Sequence, residues 1–162
     1  MVRKKIYTTD GKVKHLSKDE DINEKLSKII GPKFIEYRKK WDLANNFELE
    51  TDFPLFLHVE LNQTCNYKCP HCIIGNPDEI PNMYDESENL SFEQYKRIVD
   101  EGSDYECPSI SPQGENEPFL NKNFEKYLYY AHNKGFIDIM TNTNGSPITK
   151  TRAQKILDSG VT

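Results

Sequence analysis

From about residue 52 onward the chain repeats one rhythm three times: a short apolar strand pattern, a polar loop, then an amphipathic helix. Leu55 to Leu61 alternates with period two and predicts a strand. Ser91-Phe92-Glu93-Gln94 forms a capping box that opens a helix through Phe92, Tyr95, Ile98 and Val99. Pro108 to Ser111 predicts the second strand. Asn121 or Asn123 then caps a helix that turns Tyr127, Leu128 and Ala131 inward and stops at Gly135. Phe136 to Met140 predicts the third strand and Asn142 to Gly145 a turn. The third helix runs from Thr149 to Ser159, with Ala153, Ile156 and Leu157 as its stripe and Gly160 as its stop. Strands joined by helices of about 10–15 residues are parallel, with right-handed crossovers. The class is therefore α/β, with three units forming half a barrel or a small open sheet. Val161-Thr162 stands where a fourth strand should start, and three strands alone leave a parallel edge uncovered. The expectation is a fragment or a truncated reading frame.

The chain ahead of this rhythm differs in charge. Residues 1–50 hold 12 Lys+Arg against 9 Asp+Glu, a net of +3, whereas residues 51–162 hold 9 against 17, a net of -8. Residues 1–51 are read as a charged helical extension and 52–162 as the core. Residues 1–16 read as polar and loose, followed by a capping box at Ser17-Lys18-Asp19-Glu20. Ile22, Leu26, Ile29 and Ile30 share one helical face, Gly31 ends that helix and Pro32 opens a second. Phe34, Ile35, Arg38, Trp41 and Phe47 mark the second, basic helix, with Trp41 as its anchor. The overall charge of -5 gives no reason to expect nucleic-acid binding. No apolar run approaches the roughly 20 residues of a membrane span, and no signal-peptide stretch follows Met1. A cytoplasmic location is expected.

Three of the 4 cysteines sit within eight residues, in Cys65-Asn66-Tyr67-Lys68-Cys69-Pro70-His71-Cys72. In a reducing compartment such clustering points to metal or catalysis, not to disulfides. Thiolates suit iron–sulfur clusters or zinc. Three ligands on one tight loop hold three corners of a cubane and leave the fourth iron open, whereas structural zinc wants four closed ligands. Zinc on Cys65, Cys69, Cys72 and either His71 or Cys107 stays open as an alternative. Cys107 otherwise reads as a small buried residue. His15, His58 and His132 are isolated and read as a surface, a strand and a helix residue.

The C-x3-C-x2-C spacing just after the first strand resembles the signature of the radical S-adenosylmethionine (SAM) superfamily, with Asn66, Pro70 and His71 in a similar context. Gln113-Gly114-Glu115-Asn116-Glu117-Pro118 resembles the Gly-Gly-Glu-Pro motif after the second strand, with Glu115-Asn116 inserted between Gly114 and Glu117. Thr143-Asn144-Gly145 resembles the segment that closes the third strand. The resemblance covers residues 52–162. It implies the first half of a partial (β/α) barrel, truncated after about three units, with its site at the C-terminal ends of the strands. It implies that Cys65, Cys69 and Cys72 hold a [4Fe–4S] cluster whose fourth iron binds SAM, and that His71 lies by the adenine. It implies too that Gly114, Glu117 and Pro118 serve the methionine end, and Thr143 and Asn144 the ribose. Glu117 then receives the methionine ammonium, with Glu115 as its rival.

The implied activity is reductive cleavage of SAM to a 5′-deoxyadenosyl radical that takes hydrogen from a substrate. The chemistry belongs to the cofactors, and no side chain is needed as a general base. An electron donor such as flavodoxin or ferredoxin is implied as partner. The long charged extension resembles members with C-terminal SPASM-type auxiliary-cluster domains, which makes a peptide or protein substrate the expectation beside a small molecule. A zinc- or cluster-binding module without turnover is the alternative.

Overall fold

The computed structural model describes residues 5–7 and 13–15 by their backbone and residues 22–74 and 89–162 in full. The chain divides into two compact units, Met1–Glu48 and Leu49–Thr162.

In the first unit β1 (Lys5–Tyr7) pairs antiparallel with β2 (Val13–His15), Ile6 opposite Lys14. This hairpin corrects the expectation of loose chain over residues 1–16. Three residues per strand are too few for a period-two pattern to register. The capping box at Ser17 lies outside the described residues. Helices α1 (Ile22–Ile30) and α2 (Pro32–Asn45) meet at Gly31. There φ is +98°, a left-handed conformation that costs glycine little and other residues more. Pro32 opens α2, where its missing N–H costs nothing. Phe34 and Tyr37 are buried, and Tyr37 meets Trp41 edge-on at 6.1 Å. Phe47 departs from its predicted place on the α2 stripe. It lies past the end of the helix at φ +60° and is 98% exposed.

The second unit carries β3 (Phe56–His58), α3 (Phe92–Asp104), β4 (Ser109–Ser111), a 3-10 turn (Pro118–Leu120), α4 (Phe124–Asn133), β5 (Asp138–Ile139) and α5 (Lys150–Leu157). The sheet order is β3-β4-β5, all parallel. Phe56 stands opposite Ser109 and His58 opposite Ser111, while Ser109 stands opposite Asp138. The regular strands are shorter than their sequence patterns, yet the ladder runs on beyond them. The Val59 N–H donates to Ser111 O at 2.9 Å, and the Met140 N–H to Ile110 O at 3.0 Å.

β4 is the central strand and all three of its residues are buried. Ser109 is tolerated there because the backbone supplies a partner: its Oγ donates to Asp138 O at 2.8 Å. Ile110, Val59 and Ile139 form the sheet side of the core, with Tyr95 and Val99 from α3 and Leu128 from α4. The capping box of α3 is present as expected, Ser91 Oγ accepting from the Gln94 N–H and Gln94 reaching back to the Ser91 N–H. Asn123 stands at the N-cap of α4, one of the two positions expected, but its side chain makes no capping bond; Asn121 Oδ1 accepts instead from the Asn123 N–H. Leu157 is 69% exposed, so α5 is held by Ile156 and by Arg152. Arg152 binds Glu125 at 2.5 Å and the carbonyls of Phe119 and Asn121, fixing α5 and α4 to the segment that follows β4. That segment, Pro118–Leu120, was not expected to be helical; it turns because Glu117 caps it.

Among the described residues no helix is long and apolar enough to cross a membrane.

Candidate functional site

Parallel strands send their C-terminal ends to one end of the sheet, so the loops that follow β3, β4 and β5 gather there. These are the loops that carry every candidate site residue. Cys65, Cys69 and Cys72 follow β3 as half-buried thiols. The loop is wound tightly: the Cys72 N–H donates to Cys69 O at 3.0 Å and the Tyr67 N–H to Cys65 Sγ at 3.4 Å. His71 is exposed on the same loop. Cys107 stands elsewhere. It precedes β4 and is buried, while the cysteine loop follows β3, so in a parallel pair the two lie at opposite ends of the sheet. Burial pushes the Cys107 thiol up, away from the thiolate a metal needs. Cys107 is therefore no partner for the other three, and zinc held with its help is ruled out. Among the described residues no three His, Cys, Asp or Glu side chains converge as the ligands of a single ion do. A cubane asks for a different arrangement, each thiolate on its own iron, and three soft donors on one short loop fit that demand.

The loop after β4 is held to the cysteine loop by a backbone bond and by side-chain bonds that no local pattern announces. The Glu117 N–H donates to Thr64 O at 2.9 Å, next to Cys65. Asn116 is buried and uses both ends of its amide: Nδ2 donates to Asn62 Oδ1 at 2.8 Å and Oδ1 accepts from the Gly114 N–H at 3.0 Å. The two-residue insertion thus has a physical use, since it lets Asn116 tie the β4 loop back onto the end of β3. Asn62 Oδ1 also accepts from the Thr64 hydroxyl at 3.1 Å. Gln113 Oε1 accepts from the Asn142 N–H at 3.2 Å and joins the loops after β4 and β5. Nothing in a lone Asn or Gln distinguishes these residues in sequence; only the insertion itself marked the place.

Glu117 is the centre of the arrangement. It is 1% exposed, and its carboxylate already accepts three hydrogen bonds. Oε1 takes the Phe119 N–H at 3.0 Å and the Thr143 hydroxyl at 2.7 Å; Oε2 takes the Asn144 N–H at 2.6 Å. A carboxylate offers about four lone-pair sites, so little capacity remains. Pro118, buried behind it, opens the 3-10 turn. Glu115 is exposed, its backbone N–H donating to Glu60 Oε1 at 2.8 Å. Beside the end of β3 lies a cavity of about 510 Å³ whose lining includes Glu60, Asn62, Asn89 and Gln94.

The sequence profile of the Radical SAM superfamily matches residues 59–162, which takes in all three of these loops. The chain belongs to the radical SAM superfamily. It is 34% identical over 94 residues to the GTP 3',8-cyclase of Desulforamulus reducens, covering 56% of this chain and 27% of that protein. It is 31% identical over 119 residues to the mycofactocin maturase MftC of Mycolicibacterium smegmatis, covering 72% of this chain and 28% of that protein. The chain thus spans little more than a quarter of the length of these relatives. Among solved structures it is similar to BtrN in complex with AdoMet and 2-DOIA, with a TM-score of 0.57 and 22% identity over 69% of this chain and 44% of that one. The likeness confirms an α/β radical SAM fold, the parallel three-stranded sheet with its helices. Members of this superfamily are enzymes that use a [4Fe–4S] cluster and SAM.

Gly114 sets how closely the first two loops approach. A Cβ at this position would fall inside the contact distance of the Glu60 side chain. Gly114→Ala is therefore expected to push the Glu60 carboxylate off the Glu115 N–H and lower stability by about 1–3 kcal/mol, the usual penalty of overpacking. Thermal melting reads this directly, and adding Glu60→Ala, which removes the carboxylate but keeps the Glu60 Cβ that also lies too close, should restore part of the loss.

Proposed function

We propose that residues 52–162 form the cluster-binding and SAM-binding part of a radical SAM enzyme, in which Cys65, Cys69 and Cys72 hold three irons of a [4Fe–4S] cluster. When bound, the cluster supplies the electron for reductive cleavage of the carbon–sulfur bond of SAM. The observation that carries this reading is the joining of the three motif-bearing loops, through Glu117 and Thr64, at the C-terminal ends of three parallel strands. The protein's own residues bind, orient and exclude water. His71 and the Thr143–Asn144 turn form the wall for the adenosine part of SAM, and Gly114, Glu117 and Pro118 shape the wall for its methionine part.

Glu117 enters this reading in a changed role. A buried carboxylate with three internal donors acts by holding the turn after β5 in place, and the exposed Glu115 has the freer carboxylate for an ammonium group. The charged extension over residues 1–51, beside the similarity to a mycofactocin maturase, favours a peptide or protein substrate. The reading includes a cytoplasmic site, an electron donor such as flavodoxin or ferredoxin, and SPASM-type auxiliary clusters elsewhere in the protein.

Anaerobic reconstitution with iron and sulfide tests the proposal. The expected result is broad visible absorbance, about four irons per chain, and a change in the spectrum of the reduced cluster on adding SAM. Stoichiometric zinc in anaerobically purified protein, with no iron uptake, overturns it in favour of a metal-binding module.

A further inference from the structure

Asn66, the residue after the first cysteine, takes part in a closed ring of hydrogen bonds with residues about eighty positions away. Its Nδ2 donates to Ser146 Oγ at 2.7 Å, and its Oδ1 accepts from Asn144 Nδ2 at 2.9 Å. The ring closes on the far side, where the Ser146 N–H donates to Asn144 Oδ1 at 2.9 Å. The Gly145 N–H donates to Thr143 Oγ1 at 2.9 Å, so the turn is also braced from within. Glu117 anchors its buried side through Thr143 and the Asn144 N–H.

Tyr67 and Lys68, which follow Asn66 in the cysteine loop, are exposed. Loops of that kind are where local opening concentrates. The ring supplies two bonds from the loop to the β5 turn, next to Cys65, and the turn itself rests on a buried carboxylate. Each bond lies near solvent and contributes little to global stability. Its consequence is local: it limits the positions Cys65 can take relative to Thr143 and Asn144.

We infer that Asn66 and Asn144 are positioning residues that clasp the cysteine loop to the turn after β5, so that cluster retention and SAM binding support one another. This rests on the reading of the site given above. A ligand that orders the turn then also steadies the loop, and a loaded cluster steadies the turn, because coupling between two sites is reciprocal.

The experiment uses the protein that contains this chain, reconstituted anaerobically. Three quantities are read: the rate at which a chelator bleaches the cluster, the protection SAM gives against bleaching, and the electron paramagnetic resonance change on adding SAM. Asn66→Ala and Asn144→Ala are each expected to take up iron at high iron and sulfide but to bleach about tenfold faster, the order expected for losing two weak hydrogen bonds. SAM protection should fall to a similar degree. The double variant should lose less than the sum of the two single ones, because both remove the bond between Asn144 Nδ2 and Asn66 Oδ1. Asn66→Asp should retain most of the wild-type behaviour, since a carboxylate accepts from Asn144 Nδ2 and from the Ser146 hydroxyl. Melting of the cluster-free protein should move little in all four.

If Asn66→Ala bleaches and responds to SAM as the wild type does, the clasp has no positioning role. Additive losses in the double variant overturn it as well, as do losses matched by a large drop in melting temperature. Failure of the wild type itself to take up a cluster overturns the functional reading, and the clasp with it. A wild type that loads normally beside unaffected variants sinks the clasp alone. Should Asn66→Ala not fold, Ser146→Ala removes the bond from Asn66 Nδ2 with a smaller change, and the same three readouts decide.

Discussion

Replacing Cys65, Cys69 or Cys72 by alanine, one at a time, is expected to take reconstituted iron from about four per chain to less than one. Each thiolate occupies its own corner of a cubane, and one corner is already without protein ligand. A second open corner leaves a cluster held at two points on a loop whose residues 66–68 are exposed to water. Cys107→Ala is the control from the same chain. Cys107 lies buried ahead of β4, its thiol donating to Ser109 O at 3.5 Å, and it should cost stability on the order of 1 kcal/mol while leaving iron content unchanged. Iron analysis and visible absorbance measure all four variants. Loss of the cluster in Cys107→Ala would contradict the placement of that residue at the far end of the sheet. Retention in any of the three loop variants would mean that another side chain, His71 first, replaces the missing thiolate.

The contrast between these cysteines was partly legible in sequence. Spacing separated three clustered residues from one isolated one, and the strand–helix rhythm placed the cluster loop, the Glu-Pro loop and the Thr-Asn-Gly turn after successive strands. Those inferences rest on local pattern, which a single sequence displays. The α3 capping box is of the same kind, because both of its partners lie within four residues. The bonds joining the loops are of another kind. Asn62 to Asn116, Asn66 to Asn144 and Gln113 to the Asn142 backbone span 29 to 78 residues, and each uses an amide side chain that fits any surface loop equally well. No periodicity or spacing announces such a pair; tertiary proximity alone gives it meaning. The same limit explains Glu117. Sequence placed it before a proline, but whether its carboxylate faces a ligand or folds back on its own loops depends on the position of β5. The β1–β2 hairpin escaped for the opposite reason, since its strands are too short for pattern to exceed noise.

Glu117→Gln is expected to lower the stability of the cluster-free protein by about 2–3 kcal/mol, the cost of removing charge-assisted bonds and stranding a buried donor. The substitution changes neither size nor shape, so the effect comes from hydrogen bonding alone. Glu117 accepts from two backbone N–H groups, those of Phe119 and Asn144, one on each carboxylate oxygen. A glutamine side chain has one oxygen and one nitrogen. In either orientation of the amide its NH2 faces one of those N–H groups, and at 1% exposure no water replaces the lost acceptor. If the nitrogen faces Asn144, the turn after β5 loses its anchor and the ring to Asn66 loosens; if it faces Phe119, the 3-10 turn loses its cap. The melting temperature should fall by about 10 °C for a unit of this size. SAM affinity should fall with it, because Thr143 and Asn144 are no longer held. Glu115→Gln separates this role from direct ligation. Exposed, and with no carboxylate partner among the described residues, it should leave melting unchanged, and any loss of SAM affinity there marks it as the ammonium acceptor. A Glu117→Gln protein that melts as the wild type but binds SAM tenfold more weakly would return the ammonium to Glu117, and the internal bonds of its carboxylate would then have to open when SAM arrives.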